Sequence, residues 1–588
     1  MQSFWKMGLV SAISLASRAW AKPYRHDDFF TPDQVLRVTA QNISINCESR
    51  YSVVINGTSP GPPLHLVEGK PQWIRVYNDI LDQNVTVHWH GLAQRAAPFS
   101  DGTPLVSQWP IPPAHFFDYE IYPDSAGTFF YHSHVGFQAV SAYGPLIVKN
   151  RCTTNDKQYN DEIVLAVADY FNKTDEAIER GLLANPFMWS GEATALLING
   201  KSGTSLKNGI DSSCAPLVIK VKPDTKYRLR FIGGTALSLV TLGIENHANL
   251  SIIEADGTAS KPYDTNHLQI ASGQRFSVIL KTKKTGELQK LNKTNFWIRY
   301  ENRDRPANAS GYAILSYDTA SEAPLPTTLP TTSPVTLPAK VYDWLEYALS
   351  PADSNRYPFP KKSDRTVTIQ THQYGSQNAT TGAFISKLEW GQNGNVWQPE
   401  RVPVPYLVDF YLRGEAAVPN YAAAQKNGGW DPANYAFPAK VGETVDIIWE
   451  SNNLPTGGWD VCFLFSFFFV FFFILTLVKS HKRLTFLSSI IDPPLPRPRR
   501  PLLGPRLRQR HLQRNHQRSK VSLLHHHQKR AHDPRHNNAL PLRNLWREKY
   551  HGRLARLANQ VRRGRCLFAT LSYIAASHYG HGDCVGYW

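Results

Sequence analysis

From about Phe30 to Asn150, apolar and β-branched positions come in short runs broken by Gly, Pro, Asn and Asp, the pattern of strands joined by tight turns. Gln34–Ala40, Tyr51–Ile55, Gln72–Tyr77, Asn84–His90, Phe116–Ile121 and Gly127–His132 each read as a strand. A second set occupies Glu162 to Tyr317 and includes Leu217–Val221, Tyr227–Ile232, Leu250–Glu254, Phe276–Leu280 and Phe296–Tyr300. Regular short strands with turn residues between them predict sandwiches or Greek-key barrels. Pro324–Pro338, PLPTTLPTTSPVTLP, holds too little apolar content to fold and reads as a linker. A third set opens at Val341, reaches Val445–Trp449 and Asn452–Asp460, and there stops abruptly. The pattern predicts an all-β chain of tandem domains, two complete and a third truncated.

Composition sharpens the boundaries. At 588 residues with 42% hydrophobic and 19% charged positions, the chain can bury several cores, which excludes a coiled coil or a wholly disordered polymer. The formal net charge is +17, yet the stretch from Lys479 onward alone carries 23 Lys plus Arg against 4 Asp plus Glu. The basic charge therefore belongs to the tail, and the body is close to neutral. At the other end, Lys6, the apolar stretch Met7–Ala16 and Ala19-Trp20-Ala21 have the layout of a secretory signal with a small-x-small cleavage site. Export also fits eight sequons in the body, at Asn42, Asn56, Asn84, Asn172, Asn249, Asn292, Asn308 and Asn378. The body's cysteines are Cys47, Cys152 and Cys214, so disulfides can be only auxiliary staples, and the odd number means that one partner is missing or one thiol is free. The expected organisation is a signal peptide over 1–21, domains over 22–150 and 151–320, a linker over 321–338, the start of a third domain over 339–461, and a tail of different character over 462–588. The chain is expected to be secreted and extracellular.

The candidate chemistry lies in two His-x-His pairs, His88-Trp89-His90 and His132-Ser133-His134. In a strand, positions i and i+2 leave the same face, so each pair can offer neighbouring imidazoles to a metal. Each stands at the end of a β run and beside a glycine, Gly91 or Gly136, that lets backbone pack close. The alternative is surface histidines without a ligand. Imidazole suits copper, zinc, iron or nickel, so the ligand type does not by itself choose the metal. Trp89 and Trp109 read as packing residues rather than donor sites.

These pairs sit in longer motifs: HWHGL, then SDGTPLVSQWPIPP (Ser100–Pro113), AGTFFYHSHVGFQ (Ala126–Gln138) and GPLIV (Gly144–Val148). The whole resembles the first cupredoxin domain of the multicopper oxidases, with fungal laccases and ascorbate-oxidase-like members the nearest in pattern. Similarity continues through ALLINGK (Ala195–Lys201) and the stretch Glu254–Val278, and recurs in NNLPTGGWD (Asn452–Asp460). The resemblance implies tandem cupredoxin-like (plastocyanin-like) Greek-key β-sandwich domains and copper as cofactor. It implies His88 as a type-2 copper ligand and His90, His132 and His134 as type-3 ligands. It also implies one-electron oxidation of phenolic or similar small donors coupled to the four-electron reduction of O2 to water.

Members of that family carry a second set of imidazoles, H-P-x-H-x-H-G directly after GGWD and H-C-H near the C-terminus, and neither is spelled here. After Asp460 the chain instead reads VCFLFSFFFVFFFILTLV and then Lys/Arg/His/Pro-rich text. Read literally, Cys462–Val478 is an apolar segment at the lower limit of a membrane span, flanked by Lys479, Lys482 and Arg483. A retained intron accounts for more. Val461-Cys462 can be encoded by GTATGT, Leu484-Thr485 can hold a CTAAC-type branch site, and Ile491-Asp492 can hold ATAGAT. Removing that segment shifts the downstream frame. In the shifted frame the codons from Asp492 permit I-H-P-F-H-A-H-G-G-H-Y-W-D-L, and those of Thr570–His581 permit H-C-H-I-L-Q-H-H-I-M-G-M. The codons of Thr570, Leu571, Ser572 and Ala576 then read His, Cys, His and His, and that of His581 reads Met.

The intended product is thus expected to be a laccase-like oxidase, and the chain as it stands to lack the type-1 site and half the cluster. Ferroxidase and ascorbate oxidase remain open within the same family. A membrane-anchored copper-binding protein without oxidase activity is the alternative from another class, with Cys462–Val478 as its anchor. His525–His527 and the arginines around them have no aromatic interleaving or recognised module, so no nucleic-acid partner is expected.

Overall fold

The computed structural model describes His26 and residues 29–452, apart from 152–157, 304, 320–322, 340–345, 354–359, 361, 397, 400–401 and 441. The expected signal segment over 1–21, Cys152, Val341, Asn453–Asp460, Cys462–Val478 and the tail over 462–588 lie outside the described residues. Among the described residues no helix is long and apolar enough to cross a membrane.

Eight strands build the first sandwich: β1 (Gln34–Ile45), β2 (Glu48–Ile55), β3 (Leu64–Val67), β4 (Gln72–Asn78), β5 (Val87–His90), β6 (Phe116–Ile121), β7 (Gly127–Ser133) and β8 (Tyr143–Lys149). They form two four-stranded sheets in the orders β2-β1-β4-β6 and β3-β8-β7-β5. The β1/β4 and β3/β8 pairs are parallel, so the chain crosses between sheets rather than running as a meander. In β1 the two-residue alternation turns Leu36 and Val38 inward and leaves Val35 and Arg37 exposed. Facing side chains from both sheets, among them Leu36, Ile74, Val87, Trp89, Tyr119 and Phe129, fill one core.

The second sandwich packs a six-stranded sheet on a five-stranded one. Its six-stranded sheet contains β9 (Asp161–Tyr170), β10 (Lys226–Gly233), β11 (Leu250–Ala255) and β12 (Arg275–Lys281). Helix α1 (Asp175–Leu182) follows β9, capped by Thr174, whose hydroxyl accepts the Ala177 N–H. Every residue of β7 is buried because one of its faces lines the first core while the other meets the second sandwich. There Phe130 and Tyr143 join Ala166, Ala168, Tyr170, Leu197 and Ile232. A disulfide between Cys47 and Cys214, 167 residues apart, ties the same two sandwiches.

The third set of strands is a four-stranded sheet that includes β13 (Arg365–Tyr374) and, parallel to it, β14 (Val445–Asn452). Its core is small: Val367, Ile369, Trp430 and Phe437. It meets the first sandwich where helix α2 (Tyr406–Arg413) begins, the Tyr406 and Leu407 N–H groups donating to the Leu105 and Val106 carbonyls at 3.2 and 2.9 Å. Trp109 is 50% exposed and its indole N–H donates to the Pro403 carbonyl, a contact between the first sandwich and the segment before α2. Trp89, by contrast, is fully buried among Tyr119 and Tyr131.

Candidate metal centre

Strands β5 and β7 pair antiparallel with His88 directly opposite His132. A cross-strand pair shares one face of the sheet, and so do positions two residues along each strand. His90, opposite Phe130, and His134, beside Thr86, therefore join His88 and His132 in a staggered array on one face, while Trp89 and Tyr131 fill the core on the other. Just past the end of β7, the His134 N–H donates to the Thr86 carbonyl at 3.1 Å and keeps the ladder in register.

Ligand nitrogens of His88, His90 and His132 all lie within 4.8 Å of one another. The His134 ring centre is 5.7 Å from those of both His88 and His132. His88 Nδ1–H donates to the Asp101 carbonyl and His132 Nδ1–H to the Ser133 carbonyl, each at 2.8 Å. Both bonds fix the tautomer and leave the lone pair on Nε2. His90 Nδ1 and His132 Nε2 stand 3.4 Å apart. That is long for a hydrogen bond, and close to the ~3.3–3.4 Å spanned by two nitrogens each ~2.0–2.1 Å from one ion at a tetrahedral angle.

The electrostatics suit ligands. Burial, with the Arg275 guanidinium next in effect, holds the His90 imidazole well below its ordinary value. Burial and the neighbouring imidazoles do the same to His132, and burial brings His134 down to about 4. All three are neutral near pH 7, the form that binds a metal without first losing a proton. His88 differs. Burial pulls it down, but the Asp101 carboxylate outweighs burial and leaves it raised. Asp101 in turn is pushed up by burial and held below the usual carboxylate range by His88, with the Thr103 hydroxyl also bonded to it. The donor set fits a first-row transition metal, copper among them.

Sequence reasoning identified the four histidines but missed Asp101. Its signal was the Asp101-Gly102 turn pair following the first histidine motif. Gly102 has φ 81°, and a Cβ there would fall 1.8 Å from the Val87 carbonyl oxygen. Only glycine lets that turn lie against β5 and bring Asp101 to His88.

Comparison with known proteins bears on which metal this is. The family described as "Multicopper oxidase" matches residues 37–153, and a second profile of the same description matches 161–320. The chain is 52% identical over 466 residues to "Multicopper oxidase aurL2" of Gibberella zeae, covering 77% of this chain and 76% of that one. It is 42% identical to "Laccase-like multicopper oxidase 1" of Thermothelomyces thermophilus, covering 77% and 75%, and 30% identical to an L-ascorbate oxidase of Cucurbita maxima, covering 70% and 72%. Among solved structures it superposes on Fet3p, "a Multicopper Oxidase that Functions in Iron Import", with TM-score 0.56 at 22% identity, covering 71% and 72%, which speaks to the fold. With the sandwiches, the buried imidazole array and these similarities together, the chain belongs to the multicopper oxidase family, copper-dependent oxidoreductases that use O2, and within it to the fungal laccase-like type.

Proposed function

We propose that the gene encodes a secreted laccase-like oxidase that takes single electrons from phenolic or similar small donors and delivers four of them to O2, giving water. The observation that carries this reading is the staggered array of four imidazoles on the β5/β7 face. In it His88 serves a type-2 copper and His90, His132 and His134 serve a type-3 pair. Bound copper supplies the one-electron redox chemistry that couples donor to O2. The chain's own residues prepare the site. Burial keeps three imidazoles neutral, and the Asp101 and Ser133 carbonyls hold the Nδ1–H groups of His88 and His132, which leaves Nε2 for a metal. Behind the ligands, on the core side of the same strands, Trp89 and Tyr131 are fully buried.

The same reading makes the chain as it stands inactive, because the type-1 ligands and the other half of the cluster belong to the alternative frame. Electrons then have no point of entry, and a third domain without its closing strands exposes edges that favour misfolding. The purified, copper-supplemented chain is expected to show neither blue thiolate absorption nor phenol-dependent O2 uptake. The product of a message spliced across codons 461–491 is expected to show both. Activity in the first or inactivity in the second overturns the reading. Ascorbate and ferrous iron, offered beside phenols, decide the donor class.

The apolar stretch Cys462–Val478 supports a second reading, a membrane-anchored copper-binding protein without oxidase activity. Transcript sequencing across codons 455–495 separates the two: an unspliced majority with product in the membrane fraction favours the second. Export is supported by the leader pattern and by exposure of all eight sequon asparagines. A shift in gel mobility on glycosidase treatment of the secreted protein tests it.

A further inference from the structure

Each histidine pair is followed by a glycine with positive φ, Gly91 at 91° and Gly136 at 52°. In both places the side chain that glycine lacks is replaced by a charged group from the second sandwich. A Cβ on Gly91 would lie 2.4 Å from Arg275 Nη2, and a Cβ on Gly136 would lie 2.0 Å from Glu179 Oε2. Arg275 reaches there from the first position of β12 and is 1% exposed. Its Nε donates to the Thr128 carbonyl of β7 at 3.2 Å and its Nη1 to the Gly273 carbonyl at 2.7 Å. Nη2 is buried against Gly91 without a hydrogen-bond partner among the described residues. Nη1 also pairs with the Asp256 carboxylate at 3.1 Å, so the guanidinium is anchored on one side while Nη2, its unpaired donor, meets Gly91.

Glu179 arrives from α1. The first residue of that helix, Asp175, is bonded to Arg50 of β2 at 2.7 Å and to the Ser141 hydroxyl at 3.1 Å, both in the first sandwich. One turn later on the same helix face, Glu179 reaches the loop after His134, where its carboxylate lies in the space a Gly136 side chain would take. The second sandwich contributes none of the four imidazoles, yet it braces the backbone at the exit of both histidine pairs.

We propose that Arg275 and Glu179 are positioning residues for the histidine cluster, filling the side-chain spaces of Gly91 and Gly136 and so fixing how the two pairs face each other. This rests on the copper reading, and the test keeps the two apart. The full-length chain, its Arg275→Met, Glu179→Ala and Glu179→Gln variants, and a His88→Ala/His132→Ala control are titrated with copper(II) ions. Electron paramagnetic resonance and competition against a chelator give the readouts. The control still holds any copper bound by the tail, so the difference from it reports the cluster.

Arg275→Met and Glu179→Ala are expected to weaken cluster copper on the order of tenfold and to broaden its spectrum, while Glu179→Gln, which keeps the side chain's shape, recovers most of both. Cluster affinity and spectrum unchanged in folded Arg275→Met and Glu179→Ala overturn the proposal. A control indistinguishable from the unaltered chain overturns the copper reading itself, and the proposal with it. If Arg275→Met does not fold, Gly136→Ala with and without Glu179→Ala decides: the loss of copper affinity caused by Gly136→Ala must shrink when Glu179 is removed, and an equal loss in both backgrounds refutes it.

Discussion

Glu254→Gln is a demanding test of how the first two sandwiches are joined. The Glu254 carboxylate on β11 accepts the Thr128 N–H of β7 at 2.5 Å, the Thr128 hydroxyl at 3.1 Å and the Ser277 hydroxyl at 2.6 Å. It also pairs with Arg228, with Arg230 3.7 Å away. Glutamine keeps the shape but removes the charge and turns an NH2 toward groups that are all donors. Arg230 retains Glu162 at 2.7 Å, whereas Arg228 loses its carboxylate partner. Breaking a buried pair on one side typically costs about 3–5 kcal/mol. At roughly 2–4 °C per kcal/mol for a unit of 150–250 residues, the first thermal transition should fall by on the order of 10 °C.

The charge also sets a pH signature for this variant. Burial pushes Glu254 up, but Arg228 and Arg230 outweigh it and hold it below the ordinary carboxylate value. A depressed carboxyl contributes stability above its unfolded value, near 4.5, and loses it as pH falls through the folded value. The gap between Glu254→Gln and the unaltered chain should therefore be full at pH 7 and close on acidification. Thermal scans followed by tryptophan fluorescence at several pH values measure it. Asp409→Asn, which removes the exposed Arg413–Asp409 pair on α2, serves as control and should leave the transition nearly unmoved. A Glu254→Gln transition within about 3 °C of the unaltered chain at pH 7 refutes the reasoning.

Three further outcomes are expected. Reducing Cys47–Cys214, or Cys214→Ser, frees a 167-residue loop, worth up to about 5 kcal/mol in the chain-entropy picture, and should lower the unfolding midpoint in denaturant. His247 is brought down to about 4 by burial, its Nδ1 donating to the Glu245 carbonyl and its Nε2 accepting from the Tyr317 hydroxyl. The unfolded chain binds that proton more readily, so stability is fully present above about 6.5 and falls by about 3 kcal/mol by pH 4, and His247→Asn should flatten this dependence in thermal scans. Trp89→Ala removes a fully buried indole behind the ligand strand and should cost about 3–5 kcal/mol in equilibrium unfolding.

Local rules made part of this molecule legible. The two-residue period of a strand is a property of neighbouring residues, so the spacing in His88-x-His90 and His132-x-His134 was enough to place each pair on one face. The placement of His88 opposite His132 depends on which strands pair and in what register, and that is decided by packing between residues 44 positions apart in the chain. Asp101 was hidden for a related reason: its role depends on Gly102 lying against Val87, a contact between a turn and a strand. Arg275 and Glu179 were less visible still, since each acts across a domain boundary. Strands β3 and β8 pair parallel through a crossover, so no hairpin turn announces them. Helix α1 sits within a reading made of strands, although Thr174 followed by Asp175 and Glu176 is an N-terminal helix signature.

The geometry also explains why one sandwich is insufficient for the chemistry. A two-stranded ribbon can present four imidazoles on one face, but the opposite face of β5 and β7 is committed to the core through Trp89 and Tyr131. Any ion held above the array therefore needs its remaining ligands from an element facing it. The third sheet touches the first sandwich close in sequence to this site, with α2 bonded to residues 105–106 in the segment that follows Asp101. An insertion at codon 461 would accordingly spare the folded half-site and its bracing by the second sandwich while removing what must close over it. Such a chain should still take up copper at His88, His90, His132 and His134 and should differ from an oxidase in having no route for electrons, a separation of binding from turnover that misfolding of the whole body would not produce.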